Sequence, residues 1–194
     1  MNVDPVKSKI EAALPDVRLK TLRDSLVLEN PNDLPPVARF LRDSTEFAMD
    51  YLASMTAADY LDSLEAVYHL YSMEKKTGPL VLRVRVPRGE PRIPSLVPIY
   101  RGAEFQEREV YDMFGIFFEN HPDLRRIFMW EGFEGFPMRK DYQQEDSETL
   151  EWEDLEWLEK KGVKVPEPMK AQAEELKRQG KRALAQRPGQ PEPE

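Results

Sequence analysis

Leu80-Val81-Leu82-Arg83-Val84-Arg85-Val86 is the stretch from which the fold can be read. Leu80, Leu82, Val84 and Val86 alternate with Val81, Arg83 and Arg85, a period of two that predicts a strand with one buried face. The other face turns two arginines toward solvent or a partner. Burying the four-residue stripe is worth roughly 6–10 kcal/mol before chain entropy is subtracted.

Working outward, residues 64–73 are rich in aromatic and branched side chains and predict a second strand. The crowded, irregular apolar residues between Phe47 and Tyr60 predict a third over 48–55. Further upstream, residues 17–20 and 25–28 read as two brief strands around the turn-prone Arg23-Asp24. Asp4-Pro5 places a capping carboxylate before a proline at the first helical position, and Val6, Ile10, Ala13 and Leu14 then recur at helical spacing. Pro35-Pro36 opens a second helix with Val37, Phe40 and Leu41 on one face, ending near Asp43. Downstream, prolines 87, 91, 94 and 98 break the chain into a loop that leads to a third helix over 101–114. This order predicts an α+β domain, a mainly antiparallel sheet with its helices packed on one face.

That domain covers residues 1–142, and the composition then changes. Residues 145–159 hold eight acids and no base, whereas 160–187 hold nine bases and three acids. The expectation for 143–194 is an extended charged tail, partly helical. Leu150, Asp154 and Leu158 share a helical face with Trp157 beside it, and residues 187–194 are expected to be disordered.

Composition excludes several functions. A net charge of -8 with interleaved bases and acids argues against nucleic acid. With no cysteine, the chain offers no thiolate for an iron–sulfur cluster and no disulfide. His69 and His121 are far apart and lack a spaced carboxylate set, which argues against a metal site. No apolar run approaches the ~20 residues of a membrane-spanning helix, and Met1-Asn2-Val3-Asp4-Pro5 has neither a secretory nor a transit pattern. The chain is expected to remain in the compartment where it is made and to serve a membrane only from the side.

Charge is most patterned in Glu107-Arg108-Glu109-Val110-Tyr111-Asp112-Met113-Phe114-Gly115-Ile116, followed by His121-Pro122-Asp123-Leu124-Arg125-Arg126-Ile127. On a helix, Glu104, Arg108 and Asp112 form an acid–base–acid ladder at i, i+4 spacing, worth about 0.3–0.5 kcal/mol per pair if exposed. Val110, Phe114 and Phe105 are left to dock on the sheet. Gly115 permits a left-handed stop, after which Arg125 and Arg126 can return toward Glu107, Glu109 or Asp112. That is a scaffold, part of which can also face a partner chain. A catalytic reading of Glu109 with Asp112, or of His121 with Asp123, meets the absence of any nucleophile context or glycine-rich phosphate loop. His121 before Pro122 reads better as a structural hydrogen-bonding residue. Trp130 is either core or an interface anchor.

A second block, Gly135-Phe136-Pro137-Met138-Arg139-Lys140-Asp141-Tyr142, follows the first. The two in this order resemble the signature of the thirty-kilodalton subunit of respiratory complex I, the proton-pumping NADH:quinone oxidoreductase. The chain departs from that pattern at Ala103-Glu104-Phe105, where Ala-Asn-aromatic is usual, and at Phe136, where histidine is usual. The resemblance implies the same fold and a structural subunit of the peripheral arm with no catalytic, cofactor-binding or metal site of its own. NADH, flavin, iron–sulfur clusters and quinone then belong to partner subunits. The expected neighbours are the large quinone-site subunit and iron–sulfur subunits, on the cytoplasmic side of a bacterial cell membrane, with the tail lying over neighbouring chains that the sequence does not identify. Glu107, Arg108, Glu109, Asp112, Gly115, His121, Pro122, Arg125, Arg126, Arg139, Lys140 and Asp141 are the residues expected to carry the family signature, structurally or at an interface. Rivals are the equivalent subunit of a membrane-bound hydrogenase or ferredoxin-dependent dehydrogenase, a stand-alone carboxylate enzyme, and a free adaptor.

Overall fold

The stripe that begins at Leu80 lies on the middle strand of a five-stranded sheet. The computed structural model describes residues 3–130 and 132–142, with scattered positions between 160 and 178. In chain order the elements are α1 (Asp4–Ala13), β1 (Leu19–Leu22), β2 (Ser25–Leu28), a 3-10 turn (Pro31–Asp33), α2 (Leu34–Asp43), β3 (Tyr51–Asp59), β4 (Ser63–Ser72), β5 (Thr77–Pro87), β6 (Arg92–Pro94), α3 (Ala103–Phe114) and β7 (Phe117–Glu119). The sheet order is β1-β2-β5-β4-β3. Within this sheet all pairs are antiparallel except β2 with β5, where Leu26 lies beside Leu82 and Leu28 beside Val84; β6 and β7 form a separate parallel pair.

That register aligns the apolar faces. Leu80, Leu82, Val84 and Val86 are buried with Leu26, Leu28, Leu64, Ala66, Tyr68 and Leu70. Val6 and Ile10 of α1, Leu34, Val37, Ala38 and Leu41 of α2, and Ala103 and Val110 of α3 join the same core. The α+β architecture is therefore as expected, a mixed and mostly antiparallel sheet with three helices.

Local details differ for physical reasons. Val3, not Asp4, is the N-cap of α1; Asp4 already lies within the helix, where its Oδ1 accepts from Thr21 Oγ1 at 3.3 Å. β1 starts at Leu19 rather than 17, because Val17 N–H closes a turn onto the Leu14 carbonyl at 3.1 Å. β3 starts at Tyr51 rather than 48: Ala48 has a φ of 46°, and Met49 N–H is taken by the Leu41 carbonyl at 2.9 Å. Tyr100 donates to the Met49 carbonyl at 2.8 Å and fixes that corner.

Arg83 and Arg85 lie over a carboxylate instead of reaching freely outward. Glu65, fully buried on β4, accepts from Arg83 at 2.7 Å and from Arg85 at 2.9 Å. The chain divides into two units, Met1–Tyr142 and Gln143–Glu194. The helix expected at 150–158 and the disorder expected at 187–194 lie outside the described residues.

Candidate functional site

Helix α3 carries the first charged block and places its three buried polar side chains in different surroundings. Glu107 is fully buried. Its Oε1 accepts from Leu96 N–H at 2.7 Å and its Oε2 contacts Ser95 Oγ at 2.6 Å. Burial pushes this carboxyl up to about 7, against the lowering effect of those two hydrogen bonds.

Asp112, also fully buried, accepts from Ile127, Phe128 and Met129 N–H at 3.0, 2.7 and 3.0 Å and from Arg126 at 3.1 Å. Burial acts to raise its pKa, but the three peptide N–H groups and the guanidinium outweigh it and hold the carboxyl below the usual range. Arg108 donates to the Arg125 carbonyl at 3.2 Å and lies over the Phe105 ring, 5.5 Å from its centre.

The expected Glu104–Arg108–Asp112 ladder does not form: among the described residues, no ion pair joins these three side chains. Asp112 turns instead to the loop, where unpaired peptide N–H groups need an acceptor. Arg126 returns to Asp112 as expected, but Arg125 is 69% exposed and pairs with Asp123 at 2.9 Å. Glu109 is exposed with no ion-pair partner among the described residues. Val110 is buried and Phe114 half-buried, whereas Phe105 is 63% exposed and does not dock on the sheet.

His121 acts as a clamp. Its Nδ1 accepts from Asp123 N–H at 3.0 Å, which leaves Nε2 to donate to the Glu104 carbonyl at 3.0 Å. The ring is the neutral Nε2–H tautomer by assignment from these partners. Pro122, exposed beside it, starts the turn at which the loop leaves β7.

The second block closes over the end of α3. Gly115 terminates the helix at a φ of 71°, with its N–H on the Tyr111 carbonyl at 2.8 Å. A Cβ there would run into the Phe136 ring. Arg139 donates to the Phe114 carbonyl at 2.6 Å and stacks over Phe136 at 4.6 Å, satisfying a carbonyl that the helix leaves unpaired. Arg126 joins the blocks by donating to the Gly135 carbonyl at 2.9 Å.

Lys140 contributes its peptide N–H, which donates to Asp59 at 2.6 Å, while its side chain is exposed. Asp141 pairs with Arg88 at 3.3 Å, and Arg88 also grips Asp59 at 2.7 and 2.9 Å. Sequence reading missed Asp59, Arg88, Ser95 and Glu65. Their partners in this framework lie 12–81 positions away along the chain, and no local spacing signals them.

Three aromatics stand outside this framework: Phe105, Phe128 at 59% exposure and Trp130 at 68%. Trp130 is thus not a core residue; it packs edge-on against Phe133 at 4.7 Å. Among the described residues there is no metal-binding cluster, and no helix is long and apolar enough to cross a membrane.

Residues 27–148, which span both blocks, match the family described as the respiratory-chain NADH dehydrogenase 30 kDa subunit. The chain is 42% identical over 142 residues to the C subunit of NADH-quinone oxidoreductase of Roseiflexus sp. (strain RS-1), covering 70% of this chain and 81% of that protein. It is 43% identical over 116 residues to the C 2 subunit of NADH-quinone oxidoreductase of Rhizobium meliloti (strain 1021), covering 58% of this chain and 62% of the relative. The fold is similar to a chain of the membrane-bound sulfane sulfur reductase, an archaeal respiratory membrane complex. That likeness has a TM-score of 0.59 and 24% identity, covering 86% of this chain and 95% of that one.

Proposed function

Because the chain belongs to the family of the respiratory-chain NADH dehydrogenase 30 kDa subunit, we propose that it is a non-redox structural subunit of a proton-pumping NADH:quinone oxidoreductase. In this reading it stands in the peripheral arm, on the cytoplasmic side of the membrane, and supports the quinone-reducing module. Electron transfer and proton pumping belong to the assembled complex, and the cofactors to its other chains.

One observation carries the structural role. The buried carboxylate of Asp112 is spent on four donors that fix the loop displaying Phe128 and Trp130. Such a carboxylate is saturated with hydrogen bonds and poorly suited to acid–base chemistry, whereas rigid exposed aromatics suit a docking surface. The occupant proposed for that surface is the large quinone-site subunit. Residues 143–194, with separated acidic and basic blocks and Trp152 and Trp157, are proposed as an assembly strap that meets a basic patch on one neighbouring chain and an acidic patch on another.

The experiment is purification of the tagged chain from detergent-solubilised membranes, with identification of the chains that co-elute and assay of NADH:quinone activity. NADH- and flavin-binding subunits are expected. Recovery with hydrogenase or ferredoxin-linked subunits would assign it to a related complex, and recovery alone as an active monomer would overturn the reading.

A further inference from the structure

Four carboxylates are buried among the described residues: Asp59, Glu65, Glu107 and Asp112. Arg88 holds the first, Arg83 and Arg85 the second, and Arg126 the last. Glu107 has no such cation. An ionised carboxylate in a dry site without a counter-charge is costly unless hydrogen bonds replace its water.

The groups facing Glu107 come from three directions. Ser95 Oγ and Leu96 N–H reach it from the segment after β6. Tyr68 of β4, fully buried, senses its charge, and the Tyr68 hydroxyl has no hydrogen-bond partner. Nε2 of His121, from the turn after β7, stands 4.0 Å from Oε2. That imidazole supplies no charge in this arrangement: its Nδ1 accepts from Asp123 N–H and its Nε2–H is given to the Glu104 carbonyl. Arg108, next along the helix, is turned to the Arg125 carbonyl.

Ser95 can serve either protonation state. Its oxygen already accepts from Val97 N–H at 3.1 Å, and its hydroxyl hydrogen is free to point at Glu107 or away from it. We propose that Glu107 is a proton-binding site inside the folded domain, taking up one proton from bulk water at Oε2 and returning it with the fold intact. In the protonated state the Glu107 O–H donates to Ser95 Oγ, and in the ionised state Ser95 donates to Glu107. The raised carboxyl, about 7, puts both states within reach near neutral pH. This site is a property of the isolated chain and stands apart from its place in any assembly.

The test is a carboxyl carbon-13 NMR titration of the full chain labelled at glutamate, from pH 5 to 9, with Glu107→Gln to assign the signal. One glutamate is expected to titrate with a midpoint near 7, two to three pH units above the exposed ones, and to vanish in the variant. A Glu107 signal already at its ionised position at pH 5.5 would overturn the proposal. Should Glu107→Gln not fold, Ser95→Ala makes the assignment: loss of a donor to the carboxylate must move the same midpoint upward. A midpoint that does not move in Ser95→Ala counts against the site.

Discussion

Replacing Asp112 by alanine removes one acceptor from four donors at once. Three are consecutive peptide N–H groups of a half-buried to exposed loop, and the fourth is the Arg126 guanidinium, whose side chain is 20% exposed. A hydrogen bond to a charged group contributes about 1.5–3 kcal/mol, and a donor left unsatisfied in a buried site costs about 1–3 kcal/mol. Phe128 is largely exposed, so water can recover part of this, and the four bonds share one carboxylate and do not add. A loss of about 3–5 kcal/mol is expected, near the cost of breaking a buried ion pair.

Arg126→Met leaves the three peptide bonds in place and should cost less, about 1–2 kcal/mol. Arg125→Met, at an exposed pair with Asp123, should fall within about 0.5 kcal/mol. Urea titration of the full-length variants, read at constant m-value, measures all three. The order Asp112→Ala, Arg126→Met, Arg125→Met is the result expected. An Asp112→Ala midpoint within error of wild type, or Arg125→Met the costliest of the three, would refute the assignment of the loop's order to Asp112. The acid limb gives a second check. The folded pKa of Asp112 is depressed, so its contribution is present above the unfolded value of about 3.8 and is lost as pH falls further.

Gly115→Ala combines a left-handed φ with collision against Phe136, and should destabilise by about 2–4 kcal/mol, part of it recovered in the double variant with Phe136→Ala, as thermal denaturation will report. Glu107 has the opposite linkage to Asp112. Its folded carboxyl is raised from 4.5 to about 7, so the native state binds the extra proton, and its contribution falls by about 3 kcal/mol as pH rises between those values, then levels. Denaturant midpoints from pH 5 to 8 should decline in wild type and stay flatter in Glu107→Gln. Phe128→Ala with Trp130→Ala should leave the midpoint within about 1 kcal/mol while reducing co-elution with partner chains; a large loss of stability with normal co-elution would place those rings in the domain's own packing.

Several features were legible because they repeat locally. The period of two at residues 80–86 identified β5 and its buried face, and helical spacing identified α1 and α2. Gly115 announced the end of α3, since a left-handed residue at that position selects glycine. The order of the two blocks identified the family.

Partner choice was not legible. Helical spacing offered Glu104, Arg108 and Asp112 to one another, a pairing worth tenths of a kcal/mol on an exposed face. Tertiary burial set the stronger preference: peptide N–H groups in the loop at 127–129 needed an acceptor, and Asp112 was within reach. Asp59 meets Lys140 across 81 positions, and Glu107 meets Ser95 across 12, only because the sheet register and the close of α3 bring them together. Local periodicity therefore determined which segments form helices and strands, and which face of each is apolar. Only the tertiary structure decided which charge is paired, which carboxyl is left to hold a proton and which aromatics stay exposed, because those outcomes depend on desolvation and long-range contact.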